Sequence, residues 1–357
     1  MAGRLKEAGW VGAGLAGGLA AWTGLNRAAV RRFSRRDDRV GPGELEAPPG
    51  VREHALTASD GWTVRVIECG PPAGRPVLLL HGITLSAAVW PYQLRDLADR
   101  GCRVLAVDLR GHGGSGPAPG SGPPSRGAPG LTLDRLADDV YEVMEQLDLR
   151  HAVVVGHSMG GMVALRMLER RPDQAAGLGR VAGLVLAATS ASATRRRGMP
   201  GLSDAVALSQ PLASSLAGLA ARLPGPTLPA HDLAFLLARV TFGRDSSPGQ
   251  VLFTGRMTSD VPVRVSAGLL LEILHFDAED LLSGLGLPVT IVVGDHDLMT
   301  PLTQSRFMAA RIPEASLVVL PGCGHMVMLE RPAELDEAIA DLIRRVESRA
   351  DRSGPPR

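Results

Sequence analysis

Short runs of apolar residues recur along the chain, and most are followed by a segment with helical periodicity. The runs lie at 77–80 (VLLL), 104–107 (VLAV), 152–155 (AVVV), 184–187 (LVLA), 291–293 (IVV) and 317–320 (LVVL). Strands that are apolar throughout belong in a parallel sheet that is buried on both faces. Their alternation with helices is typical of an α/β domain. The sequence therefore predicts one α/β core, a mostly parallel central sheet with helices on both faces.

The individual elements follow from this pattern. Asp60-Gly61 is a turn signal between two strand-like segments, so we expect a hairpin at the start of the core. Helices are expected where apolar residues recur with a period near 3.6. The predicted elements are strands 53–58 and 62–69, helices 87–100, 134–147 and 159–170, and two helices that begin at Leu302 and Ala333.

Two stretches interrupt the alternation. Residues 111–130 contain so many glycines and prolines that a surface loop is expected. Residues 192–277 contain helical patterns such as DLAFLLARV but no buried strand, which predicts a helical insertion over the edge of the sheet. The predicted organisation is a core in two parts, 50–190 and 285–348, a helical cap at 191–284 and a tail at 349–357.

Composition limits the classes of function. The 357 residues are 45% hydrophobic and 21% charged, as in a globular protein, and the formal net charge is only +1. Without a basic field, nucleic acid is not an expected partner. The three cysteines (Cys69, Cys102 and Cys323) form no CxxC pair, and the nine histidines show no HExxH spacing. We therefore expect no disulfide framework, no metal and no other cofactor.

The first 36 residues differ from the rest of the chain. An apolar, glycine-rich run from Trp10 to Leu25 is followed by five arginines at 27, 31, 32, 35 and 36. As a helix this run would be about 24 Å long, which is short of the roughly 30 Å of a bilayer's hydrocarbon core. We expect membrane association through residues 1–36, on the cytoplasmic face because the arginines follow the run. A soluble leader in a cytoplasmic protein, or a cleaved signal for export, is the alternative.

A serine stands between a buried strand and a helix in the sequence Gly156-His157-Ser158-Met159-Gly160. This fits the G-x-S-x-G pattern in the strand-turn-helix context that the pattern requires. At such a turn the serine backbone is strained, and the glycines allow neighbouring chain to approach because they have no Cβ. The helix that follows offers unpaired N–H groups and a positive dipole end beside the serine. Ser158 is therefore the candidate nucleophile.

A serine nucleophile needs a base and an acid to orient that base. Asp295 and Asp297 follow one late strand, and His325 follows the next, in the order Ser, Asp, His. Each lies at the carboxyl end of a strand, where open α/β sheets build their sites. His325 is the candidate base, and either aspartate can be the acid at this point.

A second sharp turn, at His81-Gly82, follows an earlier strand. The backbone N–H groups of Ile83 and Met159 would together form an oxyanion hole. Such a pair stabilises the negative charge that develops when a carbonyl is attacked.

Five motifs, in order and each after a strand, make the chain resemble the α/β-hydrolase superfamily. They are HG at 81–82, DLRGHGGSG from Asp108, GHSMGG from Gly156, GDHD from Gly294 and GCGHM from Gly322. The resemblance covers about residues 50–348. It implies a helical cap where the insertion lies and places the acid at Asp297, so that Asp295 is left to cap its loop. Relatives that cleave carbon–halogen bonds or epoxides carry aspartate where this chain has Ser158.

The remaining motif residues are interpreted as structural or peripheral. His81, His157, His112 and Asp108 are expected to shape turns, and Cys323 to fill space beside the site. Thr84 and Ser86 are candidate polar contacts to substrate. Residues 111–116 also fit GxGxxG, but Pro117 and more glycines follow instead of a helix, so no dinucleotide site is expected.

A Ser-His-Asp triad with an oxyanion hole transfers acyl groups, and ester hydrolysis is the expected reaction. The apolar, aromatic-poor cap segments indicate an aliphatic or lipid-like acyl group. Thioester hydrolysis, C–C bond hydrolysis and cofactor-free haloperoxidation use the same residues and stay open. A ligand-binding protein without activity is a further alternative, because fold alone does not establish catalysis.

Overall fold

The computed structural model describes residues 32–33, 37–41, 43–117, 130–192 and 233–352. Predictions for most of the segment 1–36, for residues 118–129 of the Gly/Pro-rich loop, for 193–232 of the cap and for the end of the tail lie outside these residues. Across the described part, the prediction of an α/β-hydrolase fold is confirmed.

A nine-stranded sheet forms the centre of the molecule. Its strands run in the order β1-β2-β4-β3-β6-β7-β8-β9, with the short β5 paired to β2. The pairs from β4 to β9 are parallel, and β1, β2 and β5 pair antiparallel. The strands are β1 (Arg52–Thr57), β2 (Trp62–Cys69), β3 (Pro76–Leu80), β4 (Arg103–Val107), β5 (Gly116–Pro117), β6 (Ala152–His157), β7 (Val181–Ala187), β8 (Val289–Gly294) and β9 (Ala315–Leu320).

Ten described α-helices cover the sheet and its carboxyl edge. They are α1 (Pro91–Asp99), α2 (Leu133–Gln146), α3 (Met159–Glu169), α4 (Pro172–Ala175), α5 (Leu233–Thr241), α6 (Pro248–Asp260), α7 (Val263–His275), α8 (Leu302–Ala309), α9 (Val327–Glu330) and α10 (Pro332–Arg352). Because side chains alternate along a strand, β3 contributes Leu78 and Leu80 to one core and Val77 and Leu79 to the other. Helices α2 and α3 pack on the first core and α1 and α10 on the second, so both faces are covered.

Two predicted details are wrong. The helix expected at 87–100 is broken into a 3₁₀ turn (Ala87–Val89) and α1, because Pro91 lacks an N–H and disfavours helical conformation at Trp90. The glycine-rich loop was expected to lack regular structure, yet Gly116 and Pro117 pair with Thr63 and Trp62 at the start of β2.

The described helices between β7 and β8 are α5, α6 and α7, which lie in the stretch predicted as a cap. An isolated bridge between Ser192 and Asp277 closes the base of this insertion. The exact domain boundaries stay predictions. None of the helices in the described part of the chain has both the length and the apolarity needed to cross a bilayer.

Candidate active site

Ser158 occupies the turn between β6 and α3. Its φ and ψ are 52° and −119°, a conformation that non-glycine residues rarely adopt. Neighbouring chain enforces the turn: a Cβ on Gly156 would lie 2.5 Å from Cα of Gly161, and one on Gly160 would lie 2.2 Å from the carbonyl oxygen of Leu80. The two motif glycines therefore allow β3, β6 and α3 to approach closely, and this packing holds the serine in its strained geometry.

Asp297 and His325 form a buried pair. Oδ2 of Asp297 lies 2.9 Å from Nδ1 of His325, and the Asp297 side chain is fully buried. Burial alone would raise the pKa of Asp297, but the His325 ring and hydrogen bonds from Thr300 hold it below its ordinary value. The carboxylate is thus ionised and accepts a hydrogen bond from Nδ1–H of His325, which leaves Nε2 of the ring free to act as a base.

Thr300 is a site residue that the sequence analysis missed. Its N–H donates to Oδ1 of Asp297 at 2.9 Å and its hydroxyl donates to Oδ2 at 2.7 Å. The N–H of Met299 also donates to Oδ1, at 2.8 Å. An aspartate that accepts from the N–H two residues later forms an Asx turn, and Asp297-Leu298-Met299-Thr300-Pro301 has the composition of one. That signal was available in the sequence.

Asp295 lies outside the buried pair. Its Oδ1 accepts the N–H of Gly322 at 2.7 Å and lies 2.8 Å from Nδ1 of His296, while the side chain is over one-third exposed. It therefore links two loops at the surface. This arrangement matches the loop-capping role expected for it.

Three contacts hold the loop that carries His325. The N–H of His325 donates to the carbonyl of Thr241 at the end of α5, at 2.6 Å. Nε2 of His157 donates to the carbonyl of His325 at 3.0 Å. Glu330 accepts the N–H groups of Gly324 and Gly243, at 3.0 and 2.7 Å. Burial raises the pKa of Glu330 to about 6. The predicted cap and the histidine loop are thus joined directly, which the sequence motifs did not indicate.

The neutral state of His157 follows from its surroundings. Burial lowers its pKa well below the usual range, and a positive charge on the nearby His325 lowers it further. The two rings lie 4.8 Å apart between centroids. His157 is therefore a neutral donor that supports the loop and does not compete for the proton.

The two residues proposed for the oxyanion hole belong to segments that lie next to Ser158. Met159 is the first residue of α3, where N–H groups have no acceptor within the helix, and its side chain is buried in the core. Ile83 follows Gly82, and a Cβ on Gly82 would lie 3.1 Å from Cβ of Ser158. The structure thus brings both segments together. Neighbouring Thr84 has a φ of 60° and lines the pocket beside Ser158, whereas Ser86 only precedes the 3₁₀ turn.

The other motif residues build the surrounding turns. Nε2 of His81 accepts the N–H of Leu109 at 2.9 Å, and Nε2 of His112 accepts that of Thr84 at 3.3 Å. Asp108 accepts the N–H of Ala87 at 2.6 Å. These side chains fix the loops at the carboxyl ends of β3 and β4.

No metal centre or second nucleophile is evident in the described part of the chain. No group of three or more His, Cys, Asp or Glu side chains there is arranged to hold a metal ion. Cys323 is fully buried, and burial raises the pKa of its thiol, so its reactive thiolate is disfavoured.

Ser158 and His325 open into one pocket of about 610 Å³. Its walls come from the loop after β3 and from α5, α6, α7 and the Asp297 loop. Its apolar lining is aliphatic: Ile83, Leu85, Ala238, Val240, Val261, Val263, Ala267, Leu270, Met299 and Met326. A volume of this size is typical of a small-molecule site.

A family model described as the alpha/beta hydrolase fold matches residues 75–332. The chain belongs to the α/β-hydrolase fold family. This confirms the resemblance drawn from the five motifs.

Similar proteins include esterases and a haloperoxidase. The structure of a thermophilic esterase from Thermogutta terrifontis is 28% identical, with a TM-score of 0.65, and the match covers 83% of this chain and 98% of that one. A non-heme haloperoxidase from Rhodococcus erythropolis is 28% identical over 82% of this chain and 99% of its own length. A pimeloyl-[acyl-carrier protein] methyl ester esterase from Nitrosomonas europaea is 28% identical over 73% of this chain and 92% of its own length.

Proposed function

We propose that the protein is a serine hydrolase that cleaves carboxylic esters through an acyl-enzyme on Ser158. The observation that carries the proposal is the buried Asp297–His325 pair, at 2.9 Å, whose histidine lines the same pocket as a strained serine. The esterases among the similar proteins support the same reaction class.

The reaction follows from the groups at the site. Nε2 of His325 takes the Ser158 proton as Oγ attacks the ester carbonyl, and Asp297 stabilises the imidazolium that forms. The N–H groups of Ile83 and Met159 donate to the oxyanion, and each such donor is worth about 3 kcal/mol in the transition state. His325 then protonates the leaving alcohol, and the same ring activates the water that hydrolyses the acyl-enzyme.

The proposed acyl group is aliphatic. No Phe, Tyr or Trp is among the residues that line the described part of the pocket, and apart from His157 and His325 the side chains on its wall are Ile, Leu, Val, Met and Ala with a few hydroxyls. Such a wall favours a flexible alkyl chain, because burial of each CH₂ contributes about 0.8 kcal/mol. Among the described lining residues, the only rings on which a substrate ring could stack are the imidazoles of His157 and His325.

A haloperoxidase reaction is the second candidate. If hydrogen peroxide replaces water, it attacks the acyl-enzyme to give a peracid and free serine, and the peracid oxidises halide in solution. The haloperoxidase among the similar proteins favours keeping this possibility. Thioester and C–C bond hydrolysis would use the same residues and are distinguished only by substrate.

The test is hydrolysis of p-nitrophenyl esters from acetyl to palmitoyl by the wild-type chain and by Ser158→Ala. The proposal predicts a maximum at one chain length and loss of activity in the variant. Parallel assays with acetate, peroxide and bromide measure peracid chemistry. Absence of ester cleavage by the wild type would contradict the proposal, and brominating activity alone would favour the second candidate.

A further inference from the structure

Exposed apolar side chains surround the mouth of the pocket. Three residues line the pocket and are at the same time exposed to solvent: Val240 on α5, Leu270 on α7 and Met299 on the Asp297 loop. Leu298, beside Met299, is 75% exposed. These four residues form what we call the rim.

The rim is a cluster, whereas other exposed apolar residues are isolated. Across the described residues, the remaining large hydrophobic side chains with high exposure are Leu178, before β7, and Val319, on the edge strand β9. Single exposed apolar residues are normal on a protein surface, but a group around a cleft marks a binding surface. Exposure of the apolar side chains of Leu298 and Met299 to water is unfavourable, so we expect another surface to cover them.

The N-terminal segment reaches the same side of the molecule. Phe33 is buried against α5, with its ring 5.5 Å from that of Phe235 and in cation–π contact with Arg239. Asp38 then accepts a hydrogen bond from Ser247 at the start of α6. In the sequence, the five arginines at 27, 31, 32, 35 and 36 lie close to Phe33 and Asp38, and the apolar run 10–25 precedes them.

We propose that the rim docks on an anionic lipid surface, so that the pocket opens toward the bilayer. Apolar rim residues would enter the boundary between headgroups and acyl chains, and the arginines near residue 33 would contact the headgroups. An apolar surface combined with basic residues is the usual basis of interfacial binding, because the basic residues are attracted to the anionic headgroups. Crossing the bilayer is not required.

The substrate class follows if the proposed esterase activity holds. An ester whose alkyl chains lie in a bilayer would enter the pocket directly from the membrane, without passing through water. We therefore infer a lipid ester as the substrate. The docking surface rests on the rim and on the N-terminal segment, whereas this substrate inference rests on the proposed function as well.

A fluorescent probe at the rim tests the docking itself. Cys69, Cys102 and Cys323 are all buried, so NBD attached to Leu298→Cys in the full chain reports on one site. The control carries NBD at Leu178→Cys, which is 83% exposed but lies at the amino end of β7, away from the pocket. Vesicles of phosphatidylcholine with phosphatidylglycerol should shift the emission of the Leu298 probe to the blue and leave the Leu178 probe unchanged.

The docking proposal would be overturned by no shift of the Leu298 probe with vesicles, or by an equal shift of the Leu298 and Leu178 probes. It would also be overturned if an added protein, but not lipid, shifted the emission of the Leu298 probe. Vesicles of phosphatidylcholine alone should give a smaller shift than the anionic mixture. Equal shifts with the two kinds of vesicle would show that the arginines do not contribute to docking.

A second assay separates docking from catalysis. Leu298→Asp should lower the rate on an ester embedded in vesicles more than the rate on dissolved p-nitrophenyl acetate, whereas Leu178→Asp should change neither. Equal losses on both substrates would contradict a docking role. If neither ester is cleaved by the wild type, the proposed function fails while the probe result on docking still stands.

Discussion

Asp297 and His325 are joined at 2.9 Å inside the protein, while Asp295, only two residues earlier, lies at the surface and binds the N–H of Gly322. The difference arises from the Asx turn that begins at Asp297 and directs its carboxylate inward. Asp297, and not Asp295, therefore orients His325.

Asparagine substitutions compare the two carboxylates. Asp297→Asn should lower kcat by about 10⁴-fold, because the amide cannot stabilise the imidazolium and favours the wrong tautomer. Asp295→Asn should change kcat by less than about threefold, since its partners belong to the loop surface. Ester hydrolysis by both purified variants measures the contrast. A larger loss in Asp295→Asn would mean that the acid has been assigned to the wrong residue.

Thr300 should act through Asp297. Thr300→Val removes the hydroxyl that donates to Oδ2 but keeps the N–H bond to Oδ1, and a lost hydrogen bond to a charged group should lower kcat about tenfold. Thr300→Ser retains the hydroxyl and should restore most of the rate. KM should stay nearly constant in both. If serine fails to rescue, the effect of valine is one of packing.

Gly160 should be essential for folding of the nucleophile turn. A Cβ in Gly160→Ala would lie 2.2 Å from the Leu80 carbonyl oxygen, so we expect a loss of at least about 3 kcal/mol or no folded protein. Gly268→Ala, on α7 with nothing within 4 Å of its added Cβ, is the matched control and should be stabilising by about 0.5–1 kcal/mol. Urea unfolding compares the two. Similar stabilities would refute the close packing of β3 and α3.

Asp336 should make stability depend on pH. It lies on α10 and is fully buried against α1, where Gln93 and Asp96 are its neighbours. Burial raises its pKa from 3.8 to about 8, and the charge of Asp96 adds to the effect. The stability that goes with the protonated form is complete below pH 4 and is lost as the pH rises through about 8.

The variant Asp336→Asn cannot ionise. The difference in unfolding free energy, wild type minus variant, should therefore fall by up to about 1.4 kcal/mol per pH unit between pH 5 and 8. Urea denaturation across this range measures it. A constant difference would show that Asp336 keeps an ordinary pKa in the folded protein.

Much of this site could be predicted because its signals are local. The glycines around Ser158, the strand before each site residue and the apolar periodicity all lie in short stretches of sequence. The choice of Asp297 over Asp295 needed the family resemblance, since both follow the same strand.

Contacts between distant segments could not be predicted. Glu330 joins Gly243 to Gly324, and Thr241 binds the N–H of His325, across separations that no local pattern encodes. Pro91 was a local signal for a break in the helix predicted at 87–100, but the prediction gave more weight to the apolar periodicity of that segment. The short β5 strand depends on pairing with β2, which composition alone does not indicate.

The central claim is that Ser158 is a nucleophile activated by His325. The most direct measurement is reaction of the full chain with a fluorophosphonate, followed by peptide mapping by mass spectrometry. We expect one adduct, on Ser158, no labelling of Ser158→Ala, and labelling of His325→Ala slowed by about 10³-fold or more, because the hydroxyl then lacks its base. An adduct on another residue, or equally fast labelling without His325, would contradict the account.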